Sequence, residues 1–489
     1  MRGWLTLTIC LFASANGLGK TIYVATDGND ANNGVAGAPV QTIQAGIDIA
    51  DPGDTVSIGP GVYPQTLRTK RGGLAGMPIT IQGEQPGTVT VTAQYNTLLT
   101  VAHPHIHVRQ LIFDGQFAAH DLVRVFSTGD YFRFQHNLVR NGRKDGIDLG
   151  NAATLVDANF DYLVGVSITE SEFKNFLNKD IFGHRIDAHG IVAGGVIDFE
   201  ISNTAVAMVS GDALQLANGN WDNVLVDSVQ FHNGLIDEQL AEQTGFAVGI
   251  NPGENAIDTK QDRSLPVRSR LKVVNSKFSG WRGDLINNAA ALNLKEQVSV
   301  QINACEFMNN EIALRLRGSG AANVGAHIVA TNNVFYRNEK ALRVEDELRE
   351  SRVINNTFGD GQVFEFVSGG GAADFFAANN LLSLAALPAE FPANLNLRVT
   401  NESFVDADEG DFSLSSSSPA IDSALTLNEV TSDHHGLARP QGDAFDFGAY
   451  EFKPRVVAMP IPGWLEVLGL GCIMLKCAKS NSVGLVSGG

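Results

Sequence analysis

One short pattern recurs along this chain and restricts its fold more than any other feature. ITESEFKNF (168–176), LVDSVQFHNG (225–234), VVNSKFSGW (273–281), INACEFMNN (302–310), ATNNVFYRN (330–338), VINNTFGDG (353–361) and AANNLLSL (377–384) share one order. Each is a strand-like stretch, then a small or amide residue, then usually Phe, then a polar turn. Phe278, Phe307, Phe335 and Phe358 lie 29, 28 and 23 residues apart; Phe231 to Phe278 is 47, either two units or one with a long insertion. A second strand-like segment alternates with the first: GIDLG (146–150), HGIVAG (189–194), ALQLAN (213–218), AIDTK (256–260), ALNLKE (291–296), ALRLRG (313–318) and ALRVED (341–346). Units in the twenties with two or three short strands each describe a solenoid. The reading is all-β: a single-stranded, right-handed parallel β-helix of roughly 10–13 coils over residues 21–452, with Ile, Leu, Val and Phe stacked inside and Asn ladders in the turns. Propellers or serial sandwiches would carry hairpin signals between strands, and these are missing here.

Composition agrees. Of 489 residues, 44% are hydrophobic and only 18% charged, with 51 glycines, which suits a turn-rich β protein with a large core. The net charge of −18 argues against nucleic acid as a partner. Residues 1–15 read as a secretory signal: Arg2, the apolar run WLTLTICLFA (4–13) and a small-x-small site at Ala13-Ser14-Ala15. The remaining cysteines, Cys305, Cys472 and Cys477, make no disulfide framework, and Cys305 reads as a core residue. A secreted or surface-held bacterial protein, stabilised by its core or by ions and working as a monomer, is expected. Residues 453–489 form a tail whose Pro-apolar-basic order (459–480) reads as a surface-sorting segment or as a plain tail.

Side-chain alternation places the chemistry. With Ile257, Thr259, Leu292, Leu294, Leu314, Leu316, Leu342 and Val344 inward, the outward pairs are Asp258 with Lys260, Asn293 with Lys295, Arg315 with Arg317, and Arg343 with Glu345. Asp148 with Gly150 and Gln215 with Ala217 precede them. Coils stack at roughly 4.8 Å, so Lys260, Lys295 and Arg317 form one column beside Arg315 and Arg343. Stacked like charges are unfavourable, and a bound anion relieves them. Residues 251–352 hold 15 Lys+Arg against 12 Asp+Glu, a local +3 in a chain of −18. The plainer reading is a solvated face balanced by Glu296, Glu345 and Asp346. His189 and Asp212 fall one coil apart and are read as neighbours or as ordinary turn residues. His103, His105 and His107 lack an acidic partner for a metal. Asp27, Asn29 and Asp30 read as a turn rather than a calcium loop.

Over 189–346, and more loosely over 20–452, the chain resembles exported bacterial β-helix proteins of the polysaccharide-lyase, pectate lyase-like type. TIYVATDGNDANNG…QTIQAGIDIA (21–50) resembles their opening, where QTIQAGIDIA forms a capping helix, and 418–452 resembles their last coils. The resemblance implies a lyase that cleaves a uronate-containing acidic polysaccharide by β-elimination. It implies Lys260 as base, with Lys295 and Arg317 in the catalytic set and Asp258, Asn293, Arg315, Arg343, Gln215 and His189 against the sugar. It also implies calcium, here with a reduced ligand set of Glu254, Asp258 and Asp262. The residues themselves leave two further readings open. One is a hydrolase or epimerase, which as a hydrolase needs paired carboxylates such as Asp148, Asp212 or Asp258 exposed in the groove. The other is a non-catalytic polysaccharide-binding surface protein, expected if each Lys and Arg is capped by a neighbouring acid.

Overall fold

A computed structural model describes residues 19–118, 120–150, 161–217, 221–260, 268–318, 325–345, 348–359, 361–367 and 375–453. The signal-like segment 1–15, Asp262, Asp346 and the tail beyond Lys453 lie outside them. The chain forms a right-handed parallel β-helix with three long sheets. Sheet I begins at Thr21–Val24 and ends at Phe375–Ala378; sheet II runs from Leu67–Arg68 to Val363–Phe366; sheet III runs from Gly61–Pro64 to Leu397–Arg398. One coil passes from sheet I to III to II, as in Val298–Asn303, Glu306–Met308 and Ile312–Leu316. The next strand of each sheet pairs parallel and in register with the last.

The bend between sheets I and III explains the small-or-amide position of the repeat. One residue per coil takes positive φ there, among them His136, Glu170, Asn203, Asn275, Ala304, Asn332, Asn355 and Asn379. Left-handed backbone is tolerated best by Asn among non-glycine residues. The following side chain then points inward. Asn333 donates through its backbone N and Nδ2 to Asn356 Oδ1 (both 2.9 Å), Asn356 donates to Asn380, and Asn380 to Asn396. Cys305 takes the same slot and accepts no disulfide; its backbone N bonds Asn333 Oδ1 at 2.9 Å. The ladder satisfies buried turn amides that no sheet can reach.

The phenylalanines one step further form a column: Phe231, Phe278, Phe307, Phe335 and Phe358 stack with centroids 5.1, 4.9, 4.8 and 4.7 Å apart. Phe231 pairs directly with Phe278, so the 47-residue gap is one coil with an insertion, which carries helix α2 (Glu238–Thr244). Phe307→Leu is expected to cost about 1–2 kcal/mol, since it removes two stacked contacts and leaves a small void; a thermal midpoint against the unchanged protein checks it.

The ends are closed differently. Helix α1 (Ile43–Ile49) is capped by Thr42, whose Oγ1 accepts from Ala45 N, and it buries Ile43 and Ile47 over the first coil. A Cβ on Gly46 would stand 2.8 Å from Val56 Cγ1, so only glycine lets α1 sit this close. Asp30, considered for calcium, instead accepts from Gln41 N, Thr42 N and Thr42 Oγ1 at the same cap. At the other end, segment 418–452 lies along the bend, where Asn332, Asn355 and Asn379 donate to its carbonyls. No helix among the described residues is long and apolar enough to cross a membrane.

Candidate binding and catalytic face on sheet II

Backbone pairing places the charged residues on the outer face of sheet II. Gln215 pairs with Asp258, Asp258 with Asn293, Asn293 with Arg315, and Arg315 with Arg343. Asp148 pairs with Val192, which itself pairs with Gln215, so an apolar residue interrupts the polar column. Lys260, Lys295, Arg317 and Glu345 follow their strands by one step and form the parallel column. Connections from sheet III to sheet II flank one edge of this face. Asn288, on one of them, accepts from Arg315 and Arg343.

Five cations converge on two carboxylates. Lys295 Nζ lies 2.9 Å and Lys260 Nζ 3.4 Å from Asp258, whose side chain is 1% exposed; Asn293 Nδ2 adds a 2.9 Å bond. Arg315, Arg343 and Arg317 place Nε 2.8, 2.8 and 3.0 Å from Glu345. Glu345 is pushed up by burial, but the arginine bonds outweigh that and hold it below the usual glutamate range. Glu365 takes a second bond from Arg343 and one from Lys340. The expected stack of like charges is therefore real in register but not bare, because carboxylates are interleaved with it. Cations still outnumber carboxylates on the face.

Burial works against the charge on Lys260, but Asp258, Asp212 and Glu254 outweigh it and raise the ammonium above the ordinary lysine value. A base must shed its proton, and these carboxylates work against that at Lys260. Of the expected calcium set Glu254, Asp258 and Asp262, Asp258 gives its oxygens to Lys295, Lys260 and Asn293, and Asp262 lies outside the described residues. Asp212 and Asp258 do not serve as exposed hydrolase carboxylates: each is 1% exposed, and Asp148 is paired with Arg124.

His189, Asp212 and Gln215 do come together. The backbone N–H of Asp212 donates to His189 Nδ1 (2.8 Å), so the ring proton sits on Nε2. Nε2 lies 3.3 Å from the Gln215 amide head, which is 2.9 Å from Asp212 Oδ2. Gln215 Nε2 donates to Asp212 Oδ2. Burial first, and Asp258 second, push Asp212 up to about 7, against the lowering by Gln215 and Asn255. Such a carboxyl binds its proton more tightly folded than unfolded. Its contribution to stability is full below the ordinary value of 3.8 and is lost as pH rises through about 7. Asp212→Asn is expected to flatten that fall between about pH 4 and pH 7, read as thermal midpoint against pH.

Sequence reasoning missed two contacts here, the approach of Arg185 to Glu254 and the grouping of Asp121, Asp145 and Asp148. Glu254 is raised by burial, then by Asp212 and Asp187, and its carboxylate lies 3.5 Å from Arg185, which sits 69 residues earlier. Arg185 itself gave no signal in its local sequence. Asp121, Asp145 and Asp148 place carboxylate oxygens within 4.8 Å of one another. These are hard oxygen ligands suited to a divalent cation. Arg124 already pairs with Asp148 and Lys144 with Asp121 (2.8 Å), so a cation fits only in exchange for those partners. A cavity of about 680 Å³ beside His136, Glu170 and Asn203 lies at the bend between sheets I and III and not on this face.

No family model matches the chain. Against solved structures, it resembles a rhamnogalacturonan lyase at 13% identity and TM-score 0.52, covering 79% of this chain and 91% of that one. The pectate lyase Pel9A aligns at 16% identity and TM-score 0.46, covering 89% and 97%. At such identities the likeness is one of fold. Among curated proteins, the uncharacterized protein YwoF of Bacillus subtilis (strain 168) is 28% identical over 171 residues, 31% of this chain and 36% of that protein. The match thus spans about a third of that relative.

Proposed function

From a parallel β-helix of the architecture found in polysaccharide lyases, we propose that the chain binds an acidic, uronate-containing polysaccharide along the outer face of sheet II, outside the cell. The observation that carries this is the sharing of two carboxylates among five cations: Lys260 and Lys295 over Asp258, and Arg315, Arg317 and Arg343 around Glu345. Buried carboxylates fix the cations in place before a ligand arrives, so little ordering cost remains at binding. The surplus positive charge then takes carboxylates, with the arginines offering planar donor pairs. Asn293 and Gln215 supply neutral donors between them. That every cation already has an acidic partner favours binding over cleavage as the primary role.

A second reading, β-elimination, is favoured by Glu254. In this reaction the uronate carboxylate is neutralised, a base removes the proton on the adjacent carbon, the electron pair forms a C=C bond, and the glycosidic oxygen leaves with a proton. Lys295 and Arg317 would neutralise the carboxylate. Glu254, raised by its surroundings and about one-third exposed, is better tuned as base than Lys260, whose ammonium would protonate the leaving oxygen.

The test incubates the protein with polygalacturonate, alginate, and glucuronate-containing and sulfated polysaccharides, with and without calcium. Binding is followed by affinity electrophoresis, and cleavage by absorbance of the unsaturated uronate. Binding that weakens roughly tenfold in Arg317→Gln, without an absorbance rise, supports the binding role. A rise abolished by Glu254→Gln supports elimination. Failure to bind any of these polymers overturns both.

A further inference from the structure

A hairpin pairing Asn178 with Ile186 and Lys179 with Arg185 stands at the sheet III to sheet II edge, just before the His189 coil. Its tip is held rigidly: the Asp180 carboxylate accepts from Phe182 N (2.9 Å), His184 N (2.8 Å) and His184 Nδ1 (3.0 Å). Yet it presents Ile181 and Phe182 to solvent, 93% and 77% exposed. Between the hairpin and the segment following α2 lies a cleft of about 360 Å³, lined by Arg143, Lys179, Ile181, Gln243 and Gly245 over the apolar floor of Phe117 and Leu177.

The charges in this cleft differ from those on the sheet II face. Among the described residues, neither Arg143 nor Lys179 has a carboxylate within ion-pair distance. Arg143 donates to Asn178 Oδ1 (3.3 Å) and the Lys179 carbonyl (3.4 Å). Lys179 donates to the Gly245 carbonyl (2.9 Å) and stands over the Phe246 ring at 5.1 Å. Asp180, the acid lining the cleft, has its oxygens turned to the hairpin tip. Two cations positioned by neutral partners, beside exposed apolar side chains, suit a ligand with an anionic group and an apolar face. A uronic acid ring has both. Arg185, at the hairpin base, reaches Asp187 (2.7 Å) and Glu254 (3.5 Å), which links the hairpin to the charged face.

We propose that this cleft is a second binding site for an acidic sugar residue, with Arg143 and Lys179 on its carboxylate, Ile181 against its ring and Phe182 adjacent at the exposed tip. The site rests on the reading that the chain binds an acidic polysaccharide, and it lengthens the tract of polymer held beyond the sheet II face.

The test compares wild type, Arg143→Gln, Lys179→Met and the double variant Ile181→Ala/Phe182→Ala, binding tri- and hexagalacturonate by calorimetry, with Arg317→Gln as the sheet II control. A neutral oligosaccharide serves as blank. Each cleft variant is expected to weaken the hexasaccharide about fivefold to twentyfold, the worth of one charge-assisted bond or one apolar contact, with an unchanged thermal midpoint. If Arg317→Gln weakens binding and the cleft variants do not, the cleft proposal falls and the sheet II reading stands. If the cleft variants weaken binding and Arg317→Gln does not, the cleft stands and the sheet II reading falls. Unchanged sugar affinity, with a dimer that Ile181→Ala/Phe182→Ala converts to monomer, overturns the proposal in favour of a second copy at the tip.

Discussion

Asp258→Asn is expected to weaken the fold and tighten its grip on polyanions at the same time. The Asp258 carboxylate is 1% exposed and offsets both Lys260 and Lys295. Asparagine keeps the size and can still accept from Asn293, but two ammonium groups lose their counter-charge. Removing one partner of a fully buried ion pair costs about 3–5 kcal/mol; here Lys260 is 31% and Lys295 17% exposed, so water absorbs part of it and about 2–3 kcal/mol is expected. The same change frees one positive charge on the face. Affinity for polygalacturonate should rise roughly tenfold at low salt and lose that gain at high salt. Denaturation midpoints and salt-dependent binding read the two effects separately. If stability falls and affinity falls with it, Asp258 positions the lysines more than it neutralises them. Lys260 should also titrate lower in this variant, since Asp258 is the first of the carboxylates holding it up.

Arg439→Met is expected to be costlier still, without touching the charged face. Arg439 and Glu451 form a pair with both side chains 0% exposed, 2.6 Å apart. The guanidinium also donates to Asn332 Oδ1 (3.1 Å) and the Gly448 carbonyl (2.8 Å), tying segment 418–452 to the bend. Glu451 would keep only backbone donors, from Gln441 and Asp446, and remain a buried charge. The expected cost is about 3–5 kcal/mol. Arg439→Met/Glu451→Gln should recover a good part of it, because the uncompensated charge is gone. Solenoid coils contact mainly their neighbours, so the loss should appear first as faster amide exchange in 418–452 and the last coils, with the coils near Lys260 unaffected. Uniformly faster exchange along the chain would contradict this.

The contrast between the two sites shows what could be read in the sequence. Leu292, Leu294, Leu314 and Leu316 alternate with Asn293, Lys295, Arg315 and Arg317 in evenly spaced units. Strand period and repeat length together dictate which residue stacks on which. The column of Lys260, Lys295 and Arg317 was legible for that reason, as were the Phe stack and the inward place of Cys305; the capping helix came from the resemblance of residues 21–50. Charge state followed different rules. The resemblance implies Lys260 as base, but the groups that set its proton affinity include Asp212 and Glu254, one coil away or before the strand, and a lysine side chain has no periodicity to say which of them it meets. Arg185 reaches Glu254 across 69 residues and Lys179 reaches Gly245 across 66, through an insertion whose length the repeat does not specify.

By itself, then, the sequence determined the solenoid, its register and the identity of the stacked residues, since a parallel coil repeats local patterns at fixed spacing. Only the tertiary structure decided which carboxylates lie beneath which cations, and that Arg143 and Lys179 in the cleft beside the hairpin have no carboxylate at ion-pair distance among the described residues. Burial and through-space charge depend on where insertions fold back, and no local pattern encodes that.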